Sequence, residues 1–559
     1  MKLSAVIWGF VLVCALPAFS GEKTKSFMDV KYEGTAMEPA DTSLISWTAE
    51  QHEAELKEIR NRAKRSISSS DGADLESEIV KHPKYKAFRD EILAIQNAAG
   101  FDAFIKKTEA DLQGIDTAYA TNKSVANQEV AYQFFAAQLV PIACMRGITF
   151  RVIPLAEKSK LIQSRLVTMM LSTATNLDIY APTKQWTAAF DYFTQPYDGI
   201  IMFNEGVDLQ DHLALNCAPM LVKSIERIKR LNFSNPIVFD RKMFYGDRSF
   251  NPKDQNGAQK MVTDYPAGKT AFPDGLDRYK RLGEGEQHFS LAMKYQALSF
   301  VHFFRAYRVK DLFRAATTLG FLYGIDRGLP GISDINGVTM QEKRNALFKF
   351  PTLYTSYPDA ATWTKKSLDM LSLSVDQLEA AWVHLQKQPD NETFVLNPGF
   401  FRGSVRNIGK NVAYWKAMVK GEAELSSRFT GEVVRVNLPS FYNYPPADLK
   451  KFLPYDYRDE NDKDANGKQI TRTDPIPAGM KIFEVVHGKP GTAPQIKQTA
   501  KRETFRNYRF GEPERWDGSV WQQILPGLTS PEDVGRRVRV ISQSWGGNLI
   551  QLPLGVVAD

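Results

Sequence analysis

Apolar residues recur at spacings of three and four through much of the first 231 positions. This period constrains the fold more than any other feature, because side chains three and four apart share one helix face that another element must cover. His52, Leu56, Ile59, Ala63 and Ile67 form one such face, opened by the capping pair Thr48 and Gln51, with Arg60 to Arg65 on the wet side. The same period predicts helices after Pro83, over 101–112, 125–144 and 155–173, and over 209–231. Residues 46–231 therefore read as a helical domain of packed hairpins.

The pattern then breaks. Asn235-Pro236, Asn251-Pro252, Tyr265-Pro266 and Pro273-Asp274-Gly275 make residues 232–283 an irregular excursion rich in Pro, Gly and Asn. Helical spacing resumes over 284–427, with segments predicted at 286–307, 309–320, 340–349, 375–387 and 405–424. Twelve of the 29 prolines fall in the last 130 residues, where short strand-like runs appear at 432–438, 480–486, 537–542 and 548–552. The expected fold is mainly α, built of helical hairpins or a bundle, with a long irregular central insertion and a β-rich, Pro-rich C-terminal portion over 428–559, α+β overall. With 43% apolar and 24% charged residues, the chain's composition excludes disordered, collagenous and coiled-coil classes for most of its length.

The N-terminus carries an address. Lys2 precedes an apolar or small stretch from Leu3 to Ala15, then Pro17 and Ala18-Phe19-Ser20, the pattern of a secretory signal peptide over residues 1–20 cut before Gly21. A lipoprotein signal acylated at Cys14 competes, but Val13 stands where that chemistry wants a small residue. Residues 21–45 lack any period and read as an extended or flexible arm. No later stretch has the 18 or so apolar residues of a membrane span. Losing Lys2 takes the formal net charge from +7 to +6, a mild excess that does not suggest nucleic acid but suits anionic surfaces. Cys144 and Cys217 remain, as a disulfide or as two buried thiols.

Chemistry is harder to find. The sequence lacks a Gly-rich phosphate loop, a G-x-S-x-G elbow, a His-Glu-x-x-His zinc helix and a paired Cys-x-x-Cys. It names no cofactor; the one metal it offers is calcium at Asp462, Asp464 and Asn466, the first half of an EF-hand-like loop. Thr473 stands where that loop needs a bidentate Glu, so an Asn466-Gly467 hairpin turn is the plainer reading. His288 and His302 share a helical stripe, but 14 residues at 1.5 Å each separate them by about 21 Å. Better acid/base candidates are Glu284 or Glu286 beside His288, and Asp208 four residues before His212.

Aromatic loops recur at Tyr192 and Tyr197, Tyr354 and Tyr357, and Tyr442 and Tyr444, where rigid side chains suit sugar stacking or protein contact. Arg502, Arg506 and Arg509, interleaved with Phe505, Tyr508 and Phe510, form a basic patch for an anionic partner. Covering the core edge is the plainer role of the aromatics, and a snorkelling face that of the arginines. The expectation is an exported, non-enzymatic component of a cell-envelope assembly, in the periplasm, at the surface or outside the cell. It would contact protein partners or an anionic surface glycan. The alternative is a cell-wall or polysaccharide hydrolase or lyase built on the scattered carboxylates and histidines.

Overall fold

The computed structural model describes residues 69–152, 155, 184–240, 243, 279–315, 347–387, 394–396, 405–426, 433–452, 456–458, 482–486, 495–499, 507–509, 518–528, 530, 533–534, 537 and 541. The signal, the arm, the helix expected before residue 68, nearly all of the one at 155–173 and the run at 548–552 lie outside them.

The described chain is mainly helical with some strands. Its helices are α1 (Ser69–Val80), α2 (Pro83–Ala94), α3 (Ala98–Thr121), α4 (Val130–Leu139), α5 (Lys184–Thr194), α6 (Gly206–His212), α7 (Ala218–Lys229), α8 (Glu284–Arg305), α9 (Ala360–Leu385), α10 (Val405–Lys420) and α11 (Leu438–Asn443), besides shorter turns. Among the described residues no helix is long and apolar enough to cross a membrane.

Local chemistry sets the boundaries. Pro83 opens α2, where a missing N–H costs nothing. The carboxylate of Glu129, 3.3 Å from the amides of Lys84 and Tyr85, caps that end from across the fold. Glu129 itself sits at φ +48°, and this left-handed residue interrupts the helix expected over 125–144. The segment becomes a 3-10 turn (Lys123–Asn127), α4, and a second 3-10 turn (Val140–Met145) entered through Pro141. Gly206 opens α6 where only glycine fits, since a Cβ there would lie 2.0 Å from the Val309 carbonyl oxygen.

Helices α1 to α7 enclose an aromatic core. Tyr85 stacks on Phe135 at 5.4 Å, and Phe88 meets Phe104 at 5.1 Å and Tyr132 at 5.6 Å. Arg227 of α7 grips α3 through Glu109 at 2.8 Å and Asp116 at 2.7 Å. The ends of the expected excursion are strands, β1 (Ile237–Asp240) and β2 (Tyr279–Leu282), paired antiparallel with Ile237 opposite Leu282. Asp240, 0% exposed, faces Arg89 at 3.6 Å, and Arg89 also holds Glu76 at 2.7 Å, so both strands are tied to α1 and α2.

Helices α8 and α9 run antiparallel in close contact. Ser299 Oγ donates to the Ser367 carbonyl at 2.8 Å, Ser367 Oγ donates back to the Ser299 carbonyl at 2.7 Å, and Ser374 Oγ donates to the Ala292 carbonyl at 2.8 Å. Helix α9 begins at Ala360 instead of the expected 375, because Thr364, Ser367 and Ser374 face inward and dilute its apolar stripe. Helix α10 stops before Gly421, and the strand β3 (Glu422–Ser426) pairs with β4 (Val433–Asn437). Trp415, Leu425, Val434, Phe441, Tyr442 and Trp521 fill this second core. Helix α8 serves both, giving Leu291, Leu298 and Val301 to the first and Phe303 to the second.

Farther on, β5 (Asp456–Arg458) pairs with β8 (Asn507–Arg509), and β6 (Ile482–Val486) with β7 (Gln495–Thr499), both antiparallel. The strand expected over 537–542 is corrected: Arg537 and Ile541 are helical, and Arg537 holds Asp533 at 2.8 Å, four residues back. Val534 and Ile541, seven apart, are both buried, the spacing of one helix face.

Candidate functional site

The most concentrated chemistry lies where α6 meets α7. Pro219 in the first turn of α7 lacks the N–H that would bond the Leu215 carbonyl, and its ring crowds that carbonyl. The chain widens there into a π-turn over Leu213–Cys217. This turn carries Cys217 inward between His212 and the 3-10 turn that holds Cys144.

His212 is buried. Its Nε2 lies 2.6 Å from the Cys144 carbonyl oxygen and donates to it. Arg151 Nη1, a donor only, stands 3.1 Å from either ring nitrogen, so Nδ1 is left to accept. Phe203 covers the Arg151 guanidinium at 4.1 Å, and Arg151 Nε donates to the Ile201 carbonyl at 2.8 Å. The neighbouring Cys217 thiol, and burial after it, push the Cys144 thiol well above its ordinary range. The Cys144 thiol is in turn the chief influence that lowers the Cys217 thiol below its ordinary range, against the opposing effect of burial. The two cysteines are free thiols in this geometry.

Asp208 does not join this group. Its Oδ2 accepts from the amides of Asn204 at 2.7 Å and Glu205 at 3.1 Å, closing a capping box at the start of α6. Glu286 caps α8 the same way, with Oε2 accepting from the Gly283 amide at 2.9 Å while Oε1 takes the Leu396 amide at 2.8 Å. Glu284, expected beside His288, pairs instead with His384 of α9 at 2.7 Å. His288 Nδ1 is bonded to Gln377 at 2.7 Å, and its ring stacks on His384 at 5.2 Å. The hydrogen bonds of Asp208, Glu284, Glu286 and His288, expected in acid/base pairs, thus serve helix ends and helix pairing.

Two of the six tyrosines are also corrected. Tyr192 is core, edge-on to Phe101 at 5.1 Å, and Tyr442 is 0% exposed beside Phe441. Each falls on the inward side of a helix, where apolar neighbours claim the ring. Tyr197 lies under the Arg146 guanidinium at 4.0 Å, and Arg308 stands 5.0 Å from the Tyr357 ring. Tyr354 is half-buried at φ +60°, and burial pushes its hydroxyl up to about 12. Tyr444 is 69% exposed. Arg502, Arg506 and the calcium candidates Asp462, Asp464 and Asn466 lie outside the described residues, and Arg509 falls in β8. Among the described residues no group of three or more His, Cys, Asp or Glu side chains is placed to hold a metal ion.

Sequence reasoning missed Arg151, His384 and Lys294. The first two meet their partners only through tertiary packing. Lys294 sits on a helix face that otherwise reads as apolar, and burial alone draws its ammonium down to about 7. No family model matches the chain, and no curated protein or solved structure is similar to it.

Proposed function

We propose that this protein is an exported, non-enzymatic component of a cell-envelope assembly that works by binding a protein partner. One observation supports the reading over a hydrolase. Asp208 and Glu286, the two carboxylates best placed by sequence for acid/base work, both accept from backbone amides at helix starts, Asp208 through Oδ2 and Glu286 through Oε2, while Glu286 Oε1 takes the Leu396 amide. A glycosidase needs two carboxyl groups facing a common substrate, one protonated and one not.

The decisive experiment is the native mass of the mature protein, taken from gently solubilised source cells with mass spectrometry of what co-migrates. A particle far larger than the 63.1 kDa chain, with reproducible companions, is expected. A clean monomer that cleaves cell-wall glycan would overturn the reading. In that case Glu286→Gln should abolish turnover; on the present reading it lowers the melting temperature, because the variant weakens the α8 cap.

A further inference from the structure

Independently of that reading, a cavity of about 250 Å³ opens where three stretches far apart in sequence meet. These are the turn between α1 and α2, the end of the 3-10 turn Lys123–Asn127 with the start of α4, and the segment leading into β1. The floor is apolar and covered, with Ile79 and Tyr85 each 1% exposed and Val238 5% exposed. The rim is polar and uncharged, formed by the exposed residues Asn127, Asn232, Ser234 and Asn235.

The rim is held from beneath. Phe233 is sunk in the first core, edge-on to Phe134 at 5.1 Å, while its neighbours Asn232 and Ser234 stay at the surface. Asn232 Oδ1 accepts from the Ser234 amide at 2.8 Å, and Pro236 fixes the backbone two residues on. Across the cavity, Gln133 Nε2 donates to the Val125 and Gln128 carbonyls at 2.9 and 2.7 Å, which pins the turn that ends at Asn127. A rim formed in advance spares the ordering cost that weakens binding at loose loops. Among the described residues, the side chains of Asn127, Ser234 and Asn235 make no hydrogen bond, so their donors and acceptors are open to a ligand.

The chemistry of the lining narrows what that ligand is. Its one carboxylate, Glu78, is taken up by Arg281 through two hydrogen bonds of 3.1 and 2.6 Å. The Glu129 carboxylate stands 4.0 Å from His82 Nδ1 and balances that ring when it is protonated. An ionic ligand therefore finds no unpaired charge in the lining. Tyr85 is too deeply covered to offer its ring face to a base. The volume also falls short of the roughly 300–1,000 Å³ of sites for drug-sized molecules. A small neutral molecule with several hydroxyls and one apolar side matches what is left.

We propose that this cavity binds one neutral, N-acetylated sugar ring. Its hydroxyls and acetamide group hydrogen-bond to Asn127, Ser234 and Asn235, and its acetamido methyl rests on the floor at Ile79 and Val238. Side-chain amides donate and accept at once, as sugar hydroxyls do, so three of these groups satisfy a ring without bringing charge to it. The exposed rim leaves the ring free to stay attached to a longer glycan.

The test is a saturation-transfer NMR titration of the full mature chain with N-acetylglucosamine, and with glucuronate as the charged comparison. Binding is expected with a dissociation constant on the order of millimolar, the strength of a single sugar ring. The strongest transfer should fall on the acetamido methyl. Asn127→Ala and Asn235→Ala should each weaken binding by about three- to tenfold. Both variants should keep the parent melting temperature, because neither side chain bonds to the described fold. The proposal is overturned by any of three results: no transfer to N-acetylglucosamine at millimolar concentrations, glucuronate binding equally well, or an affinity that both variants leave unchanged.

Discussion

Lys294 is 5% exposed on α8 with no acidic partner among the described residues, an arrangement that works against the folded state. Its ammonium titrates near 7 in the fold and near 10.5 when the chain unfolds. Between those limits the unfolded chain holds more protons, so this residue makes stability rise with pH; below about 7 its whole penalty is present. Lys294→Met should therefore stabilise the protein by about 1–4 kcal/mol at pH values near or below about 7, and the gain should shrink toward zero near pH 10. Urea titrations of both proteins across that range check it, and a gap that does not vary with pH would mean the amine finds a counter-charge. In the sequence Lys294 was only an interruption in an apolar stripe, because a desolvation penalty depends on neighbours that spacing does not name. Asp208 and Glu286 misled for the converse reason. A carboxylate three residues into a helix is as good a cap as an acid catalyst, and only the positions of the Asn204, Glu205 and Gly283 amides decide between the two.

Helices α2, α3, α7 and α8 were legible from their apolar faces, whereas α1, which opens on Ser, Asp and Gly, and α5, whose Tyr192 read as part of an aromatic loop, were not, although Leu75, Ile79, Ala188 and Tyr192 all enter the first core. Boundaries failed where the buried face was polar or where a single residue redirected the chain. Helix α9 is the clearest case, with its first turns hidden by hydroxyls that bond across to α8. Glu129 is another, since nothing in a sequence scan predicts a left-handed glutamate that leaves its helix to cap a neighbour. The reciprocal Ser299 and Ser367 bonds make the seam between α8 and α9 specific in register as well as favourable in energy. Ser299→Ala and Ser367→Ala should each cost about 1–2 kcal/mol. The double variant should cost less than their sum by about 0.5–1 kcal/mol, as measured by a denaturation cycle. Strict additivity would show that each hydroxyl acts only with its own helix. The buried cysteine junction was half legible: the sequence supplied both cysteines, while Pro219 and the π-turn that aim Cys217 inward left no signal in hydrophobic spacing.

At the scale of the whole molecule, the two cores share α8, and so they should fail together. Trp415 and Trp521 report on the second core once the other tryptophans, Trp186 of α5 among them, are replaced by Phe, whereas helices α1 to α7 supply much of the far-ultraviolet signal of the first. Thermal unfolding followed by tryptophan fluorescence and by circular dichroism is expected to give coincident midpoints. Phe303→Ala, which empties the space beside Phe441 and Tyr442, should lower both midpoints together and cost about 3–5 kcal/mol. Separated midpoints would show that α8 does not couple the cores. The arrangement has a mechanical side. Helix α8 is 22 residues, about 33 Å long, and its serine cross-links to α9 lie across the axis. A pull along that axis loads those links in shear, so that they resist together, where a pull across it would open them one at a time. A tug that reached one core would pass through this strut to the other with almost no stretch between them.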